Sequence, residues 1–165
     1  MNLRHLPPLA VAVVTGACSP SLDWREARPA DSGALLLFPC KPEIASRPAT
    51  AAAPVRMGLA QCKAAGLTFS LAWAELEDPA KIAPALRQMP AALAAKLEAK
   101  AAEVRPLQIA GMTPNPLTGQ QSLTGNRQAE VAVFTRGRIV YQAVMIGAKR
   151  NEVAWDSFVG SIRLE

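Results

Sequence analysis

Alternating apolar and polar residues run through the first half of the chain and predict antiparallel strands. The clearest alternation lies in segment 67–76, where every second residue is large and apolar: Leu67, Phe69, Leu71 and Trp73. Residues 33–39 form a short apolar run bounded by Gly and Pro, which is typical of a buried strand. Weaker patterns predict strands over 24–28 and 55–62, whereas the Pro- and Ala-rich segment 43–54 is predicted to be a loop.

Three further strands are predicted near the C-terminus, over "QQSLT", "QAEVAVFT" and "RIVYQAVMIG". Turn residues separate them at Gly125-Asn126 and at Arg136-Gly137, so the three strands should form an antiparallel meander. The preceding segment, 109–119, is rich in Gly and Pro and is predicted to be irregular.

A helix is predicted over residues 79–101, where Asp78 is in position to cap the first turn. Apolar residues recur there at intervals of three and four, as on a helix that buries one face: Ile82, Leu86, Met89, Leu93 and Leu97. Because proline lacks a backbone N–H, Pro84 and Pro90 predict that this helix is broken or kinked.

A second helix is predicted over residues 151–160, with Asn151 as its cap and Gly160 as its end. Together these elements predict an α+β domain, a twisted antiparallel sheet of about six or seven strands flanked by two helices. We place this single domain at residues 23–165, which is long enough to bury a core of its own.

The N-terminus carries the pattern of an export signal. Arg4 supplies a basic start, residues 6–14 an apolar stretch, and Ala17 a small residue before a cleavage site. Residues 1–17 are therefore predicted to be a signal peptide that is removed from the mature protein.

The sequence Thr15-Gly16-Ala17-Cys18 resembles the lipobox of bacterial lipoproteins. That resemblance implies lipidation of Cys18 with acyl chains such as palmitate, and residues 18–22 then form a short tether. Ser19 after the cysteine implies the periplasmic face of the outer membrane. Two alternatives stay open: a soluble periplasmic protein, and an uncleaved start, although residues 6–22 contain prolines and fall short of the roughly 20 apolar residues of a membrane span.

The other cysteines, Cys40 and Cys62, are an even pair in an oxidising compartment, and we predict that they form a disulfide. A hairpin that pairs them would turn near Ala51. Closing a loop of this length contributes about 3 kcal/mol of stability. A redox-active pair would favour C-x-x-C spacing, which these residues lack. If the chain stayed in the cytosol, they would be separate thiols.

The charge distribution argues against a nucleic-acid partner but excludes little else. The formal net charge is +5, but the 18 Lys and Arg residues are spread singly along the chain rather than gathered in a basic tract. With one tyrosine, the chain also lacks the aromatic platform on which single-stranded nucleic acids stack. We therefore expect no nucleic-acid partner, and a mild attraction to an anionic membrane surface instead.

Candidate chemistry is sparse. The only histidine, His5, lies in the predicted signal peptide, so a mature protein has no catalytic triad and no histidine metal site. We therefore predict no catalytic residue, no metal and no cofactor. Two weaker possibilities remain, each set against an ordinary structural role: carboxylates that could do acid–base work, at Glu75, Glu77 and Asp78, and cations that could line an anion site, at Lys41, Lys63, Arg136 and Arg138.

Several segments together resemble one family: "LLLFPCKP", "MGLAQCKAAGLTFSLAWAEL", "GMTPNP", and "RIVYQAVMIG" leading to "WDSFVGSIRL". The family consists of small exported proteobacterial proteins, many described as lipoproteins, and the closing pattern is also similar to the PsbP-like architecture. The resemblance implies an antiparallel sheet with helices packed against it. It implies no activity and no catalytic residue.

We therefore expect a non-catalytic binding or accessory module of the cell envelope. Its expected partners are the lipid bilayer, through acylated Cys18, and another envelope protein. The alternatives are a carrier of an apolar ligand held between sheet and helix, and an enzyme that works through the carboxylates near Glu75.

Overall fold

The computed structural model describes residues 22–165, which form two antiparallel sheets and two α-helices. The main sheet has seven strands in the order β3-β4-β5-β9-β8-β7-β6. Its strands are β3 (Glu43–Arg47), β4 (Arg56–Ala64), β5 (Leu67–Glu75), β6 (Lys100–Ala101), β7 (Gly119–Thr124), β8 (Gln128–Arg136) and β9 (Ile139–Gly147).

Two long hairpins, β4–β5 and β8–β9, form the centre of the main sheet. All four strands have nine residues. In β5 the predicted alternation is realised, because its odd-numbered residues from Leu67 to Trp73 are all buried on one face. Gly66 and Gly137 adopt positive φ angles of 75° and 55° in the two hairpin turns, a conformation that glycine reaches without strain.

One face of the main sheet is covered by a second, three-stranded sheet and by helix α2 (Glu152–Gly160). The small sheet consists of β1 (Arg25–Ala27), β2 (Ala34–Phe38) and β10 (Arg163–Leu164). Aromatic rings fill the space between them: Phe158 of α2 lies 5.2 Å from Phe38 and 5.4 Å from Phe69, centroid to centroid. This layer is the main hydrophobic core.

The opposite face is crossed by helix α1 (Ile82–Lys96), which packs against β8 and β9. A short 3₁₀ turn, Pro79–Lys81, precedes it, and the carboxylate of Asp78 accepts a hydrogen bond of 2.9 Å from the Ala80 amide. Of the residues in α1, Leu86 alone is fully buried. Helix α1 therefore rests on the sheet along a narrow contact.

The predicted α+β class, the antiparallel main sheet and the two flanking helices are confirmed. The prediction of a loop over 43–54 was wrong, because β3 occupies its first half and pairs with β4. All five residues of β3 are exposed, so no alternation of burial marks the strand in the sequence. The C-terminal meander and the cap at Asn151, which accepts a hydrogen bond from the Ala154 amide, are also as predicted.

The first helix is unbroken and shorter than predicted. It continues through Pro90 without a break, and Pro84 lies in its first turn, where no intrahelical donor is lost. It also ends at Lys96 rather than at residue 101, because Glu98 takes a positive φ angle and residues 100–101 form β6.

The predicted signal peptide, Cys18 and most of the predicted tether lie outside the described residues. Within residues 22–165, no helix is long and apolar enough to cross a membrane.

Candidate functional site

Two apolar grooves flank helix α1, one on each side. The first lies between α1 and the segment that leads from β6 to β7, and we call it the proline groove. It has a volume of about 600 Å³ and a floor formed by β7 and β8. Its apolar lining includes Leu86, Pro90, Val104, Pro116, Val131 and Val133. A volume of this size is in the range of small-molecule sites, roughly 300–1,000 Å³.

The second groove lies on the other side of α1, above strands β3, β4 and β5, and we call it the edge groove. Its volume is about 690 Å³. Alternate residues of these strands form its floor, and most are small or flexible: Ala45, Met57, Leu59, Ala72 and Ala74. Met57 is 37% exposed, so this apolar floor is open to solvent.

The grooves exist because small side chains cover the sheet where a large helix face would be needed to seal it. The face of α1 toward the proline groove carries Ala91 and Ala94, and the strands below the edge groove carry Ala72 and Ala74. Gly58 lies between Met57 and Leu59, so a Cβ atom there would point to the opposite face of the sheet and lie 2.1 Å from the Trp73 ring.

Few polar groups line the two grooves. Arg87 and Gln121 line the proline groove, and Arg47 and Gln88 line the edge groove. Register places Gln142 between Ala72 and Val133, and therefore between the two floors. Its Nε2 atom is buried and has no hydrogen-bond partner among residues 22–165, a rare situation for a buried donor.

The acidic cluster predicted as an alternative active site is accounted for by structural contacts. Glu75 binds both Arg56, at 2.5 Å, and Arg138, at 3.2 Å. Asp78 caps the turn before α1. These contacts favour the ordinary structural interpretation of the carboxylates over an acid–base role.

The four cations considered as an anion site do not come together. Lys41 and Lys63 lie next to the two cysteines, at one end of the main sheet, whereas Arg136 and Arg138 lie at the turn that closes its other end. Arg138 moreover forms an ion pair with Glu75.

A buried ionic cluster that the sequence did not predict centres on Glu130 of β8, which is 2% exposed. Its carboxylate accepts a 2.7 Å hydrogen bond from the Ser122 hydroxyl and a 3.2 Å bond from Arg105. Arg150 approaches to 3.4 Å. The cluster ties β7, β8 and two connecting segments together, so its role is structural.

Tyr141 is fully buried beneath the small sheet, where its hydroxyl donates a 2.7 Å hydrogen bond to the carbonyl of Ser32. Burial raises the pKa of Tyr141 to about 12, although the charge of Arg136 acts in the opposite direction. Tyr141 is therefore neutral at physiological pH and holds the small sheet against the main one.

Cys40 and Cys62 form a disulfide, as predicted, with Cα atoms 6.0 Å apart. The bridge joins the end of β2 to β4 and thus links the small sheet to the main sheet. Within residues 22–165 no group of three or more His, Cys, Asp or Glu side chains is arranged to hold a metal ion.

No family model and no curated protein matches this chain. The candidate site therefore rests on its geometry. The sequence indicated helix α1 and its apolar stripe, but it did not show that the stripe leaves a groove on either side.

Proposed function

We propose that this chain is a non-catalytic binding module of the cell envelope, lipid-anchored at Cys18 on the periplasmic face of the outer membrane. The proline groove beside α1 is its primary binding site, and its ligand is an amphiphile with an acyl chain and an anionic head. This proposal combines two hypotheses from the sequence: the membrane-anchored binding module and the carrier of an apolar ligand.

The observation that carries the proposal is the apolar lining of the two grooves in an otherwise well-packed domain. A protein with no ligand for this face would gain stability by closing it, because each square ångström of apolar surface removed from water contributes roughly 25 cal/mol. Arg87 at the proline groove gives that site a positive group for a carboxylate or phosphate head.

The site offers binding chemistry rather than catalytic chemistry. The residues that line the proline groove include no carboxylate, cysteine or histidine that could act as acid, base or nucleophile. Glu75, the centre of the alternative enzyme hypothesis, is paired with arginines and is not part of that lining.

The proposal is tested by purifying the full chain from membranes of a bacterial host and extracting non-covalent lipids for mass spectrometry. A Trp at position 91 would fill the proline groove, because Ala91 lines it. Position 92 offers a matched control, since Ala92 is also exposed on α1 but does not line the groove.

We expect an acyl-chain compound in extracts of the wild type and of Ala92→Trp, and much less of it from Ala91→Trp. In titrations, the wild type and Ala92→Trp should bind decanoic acid more tightly than Ala91→Trp does. Arg87→Gln should weaken the binding of decanoic acid but not that of decanol. Equal binding by Ala91→Trp and Ala92→Trp, or no saturable binding by any of them, would contradict the proposed site.

Anchoring is tested separately by the intact mass of the protein. The proposal expects an acyl mass on Cys18 that disappears in Cys18→Ser. A cleaved chain without that mass would leave a soluble periplasmic binder, and an unprocessed chain would overturn the proposed location.

A further inference from the structure

The contacts of Asp23, which directly follows the predicted tether, indicate which end of the main sheet lies nearest the predicted anchor. The Asp23 amide donates a 3.0 Å hydrogen bond to the carbonyl of Pro39. Pro39 precedes Cys40, which is bridged to Cys62. The tether therefore enters at the end of the sheet that holds the disulfide.

Three connections meet at this same end. The β4–β5 turn lies there, because it immediately follows Cys62 and Lys63 in β4. Register places Leu67 and Gln128 opposite the same residue, Gly147, so the start of β5, the start of β8 and the end of β9 are side by side. The β7–β8 turn and the segment after β9 thus join the β4–β5 turn at the tether end.

Exposed basic side chains project from these connections, and we call this surface the basic end: Lys41, Lys63, Arg127 and Lys149. Lys63 and Arg127 line the same shallow cavity of about 300 Å³. Lys96 and Lys100 lie nearby, at the end of α1 and in β6. Exposed acidic residues at this end are fewer: Asp23, which pairs with Arg25, and Glu43, Glu98 and Glu152.

The opposite end of the sheet also carries arginines, and several of them, though not Arg47 or Arg136, form ion pairs within residues 22–165. Arg56 and Arg138 bind Glu75, and Arg28 binds Glu165. None of the ion pairs formed among residues 22–165 involves a side chain of the basic end. These four side chains therefore carry positive charge that no ion pair within residues 22–165 compensates, at the end where the tether enters.

We propose that the basic end rests against a bilayer surface of anionic lipid headgroups and so orients the domain. This inference rests on the proposed anchor at Cys18, because the lipid brings this end to the membrane. The chain from Cys18 to Leu22 spans at most about 14 Å when fully extended. Because this is an upper limit, the tether can bring the basic end within the Debye length of about 8 Å at physiological salt, where headgroup charge acts on it.

In this orientation the headgroups contact the basic end. The grooves beside α1 then lie along the side of the domain and stay open.

Each basic residue near an anionic surface strengthens binding to that surface about fivefold. Neutralising two of them should therefore weaken the attraction on the order of 25-fold.

The test uses the full chain, purified from bacterial membranes and reconstituted into vesicles of phosphatidylcholine, with or without phosphatidylglycerol. A fluorophore is attached at Ala65→Cys, in the β4–β5 turn, or at Ala80→Cys, before α1, and energy transfer to labelled headgroups is measured. Both positions are exposed. We expect stronger transfer from position 65 than from position 80 in phosphatidylglycerol vesicles, and a smaller difference at high salt.

Matched variants give the decisive comparison. Lys63→Gln/Arg127→Gln should reduce the difference between positions 65 and 80 in phosphatidylglycerol vesicles, whereas Lys81→Gln/Arg163→Gln, which neutralises one exposed lysine and one exposed arginine elsewhere, should preserve it. Equal transfer from both positions, or a difference that ignores lipid charge and salt, would overturn the inference.

Failure of the anchor is recognised independently, from the intact mass. If Cys18 carries no lipid, the same protein is floated with the two kinds of vesicle. Binding to phosphatidylglycerol vesicles that falls about 25-fold in Lys63→Gln/Arg127→Gln would uphold the basic end without the anchor. No binding to either kind of vesicle would overturn both the anchor at Cys18 and the membrane contact of the basic end.

Discussion

The two faces of the main sheet are packed in opposite ways. On the face toward α2, aromatic rings of the small sheet, the main sheet and the helix interlock, and Phe38, Phe69 and Phe158 are all fully buried. On the face toward α1, Leu86 is the single fully buried residue of the helix, and grooves lie on both sides of it. The difference shows that tight packing is confined to one face of the sheet, whereas the other face leaves apolar surface open beside the helix.

The two faces also differ in the interactions that stabilise them. The α2 face is held by the disulfide, by the Tyr141 hydrogen bond to Ser32 and by the Glu130 cluster. The α1 face is held by dispersion and apolar burial along a narrow stripe. A ligand could therefore enter beside α1 without disturbing the tight core.

The largest expected effect separates the two faces directly. Phe158→Ala should lower the free energy of unfolding by about 3–5 kcal/mol, because it leaves a cavity among close-packed rings. Met89→Ala, beside α1 at the edge groove, should cost about 1 kcal/mol, because Met89 is only partly buried. Urea unfolding measures both, and similar losses for the two variants would contradict the contrast between the faces.

Loss of the bridge should come next. Cys40→Ser/Cys62→Ser removes a link that closes a loop of 22 residues, and it should lower the free energy of unfolding by about 3 kcal/mol. Thermal unfolding with and without reductant gives an independent reading on the wild type. A double variant as stable as the wild type would show that packing alone holds the small sheet in place.

The ionic cluster should contribute less. Glu130→Gln keeps the shape of the side chain but weakens charge-assisted hydrogen bonds from Ser122 and Arg105, so we expect a loss of about 1–2 kcal/mol. Glu26→Gln, on an exposed position of β1, is the control and should change stability by less than about 0.5 kcal/mol. Equal effects of the two substitutions would refute a structural role for the cluster.

The smallest effect at neutral pH concerns Tyr141, whose replacement by Phe should cost about 1 kcal/mol through the lost hydrogen bond to Ser32. Because the pKa of Tyr141 is raised to about 12 in the folded state, against 10.0 ordinarily, folding favours its neutral form. Its contribution is fully present below pH 10 and is lost as the pH rises from 10 to 12.

Tyr141 is the only tyrosine, so absorbance at the phenolate band reports on it alone. The folded protein should titrate near pH 12, and the protein in denaturant near pH 10. Titration near pH 10 in the folded protein would mean that the ring is not sealed beneath the small sheet.

The sequence was most informative where burial alternates along a strand or recurs along a helix. Segment 67–76 and the meander after residue 119 were predictable because one side chain in two must avoid water there. Strand β3 was not, since its residues are all exposed and its pairing is made by the backbone. Glu130 was also beyond prediction, because its partners come from distant parts of the chain.

The candidate site could be predicted only in part. The apolar stripe of α1 was visible, but a groove depends on the space left between a helix and a sheet, which the stripe does not determine. The even cysteine pair predicted the disulfide, but the bond also requires Cα atoms within bridging distance, which the fold supplies at 6.0 Å. The basic end required the register of β5, β8 and β9, which brings Lys63 and Arg127 together.

The central claim is that the α1 face, and not the α2 face, receives an acyl chain. The most direct measurement is photo-crosslinking with a diazirine-labelled decanoic acid in isolated membranes, followed by peptide mass spectrometry. We predict saturable labelling within residues 82–96 of α1 and in β7 or β8, which unlabelled decanoic acid prevents. Labelling concentrated in α2 and the small sheet, or labelling that does not saturate, would contradict the claim.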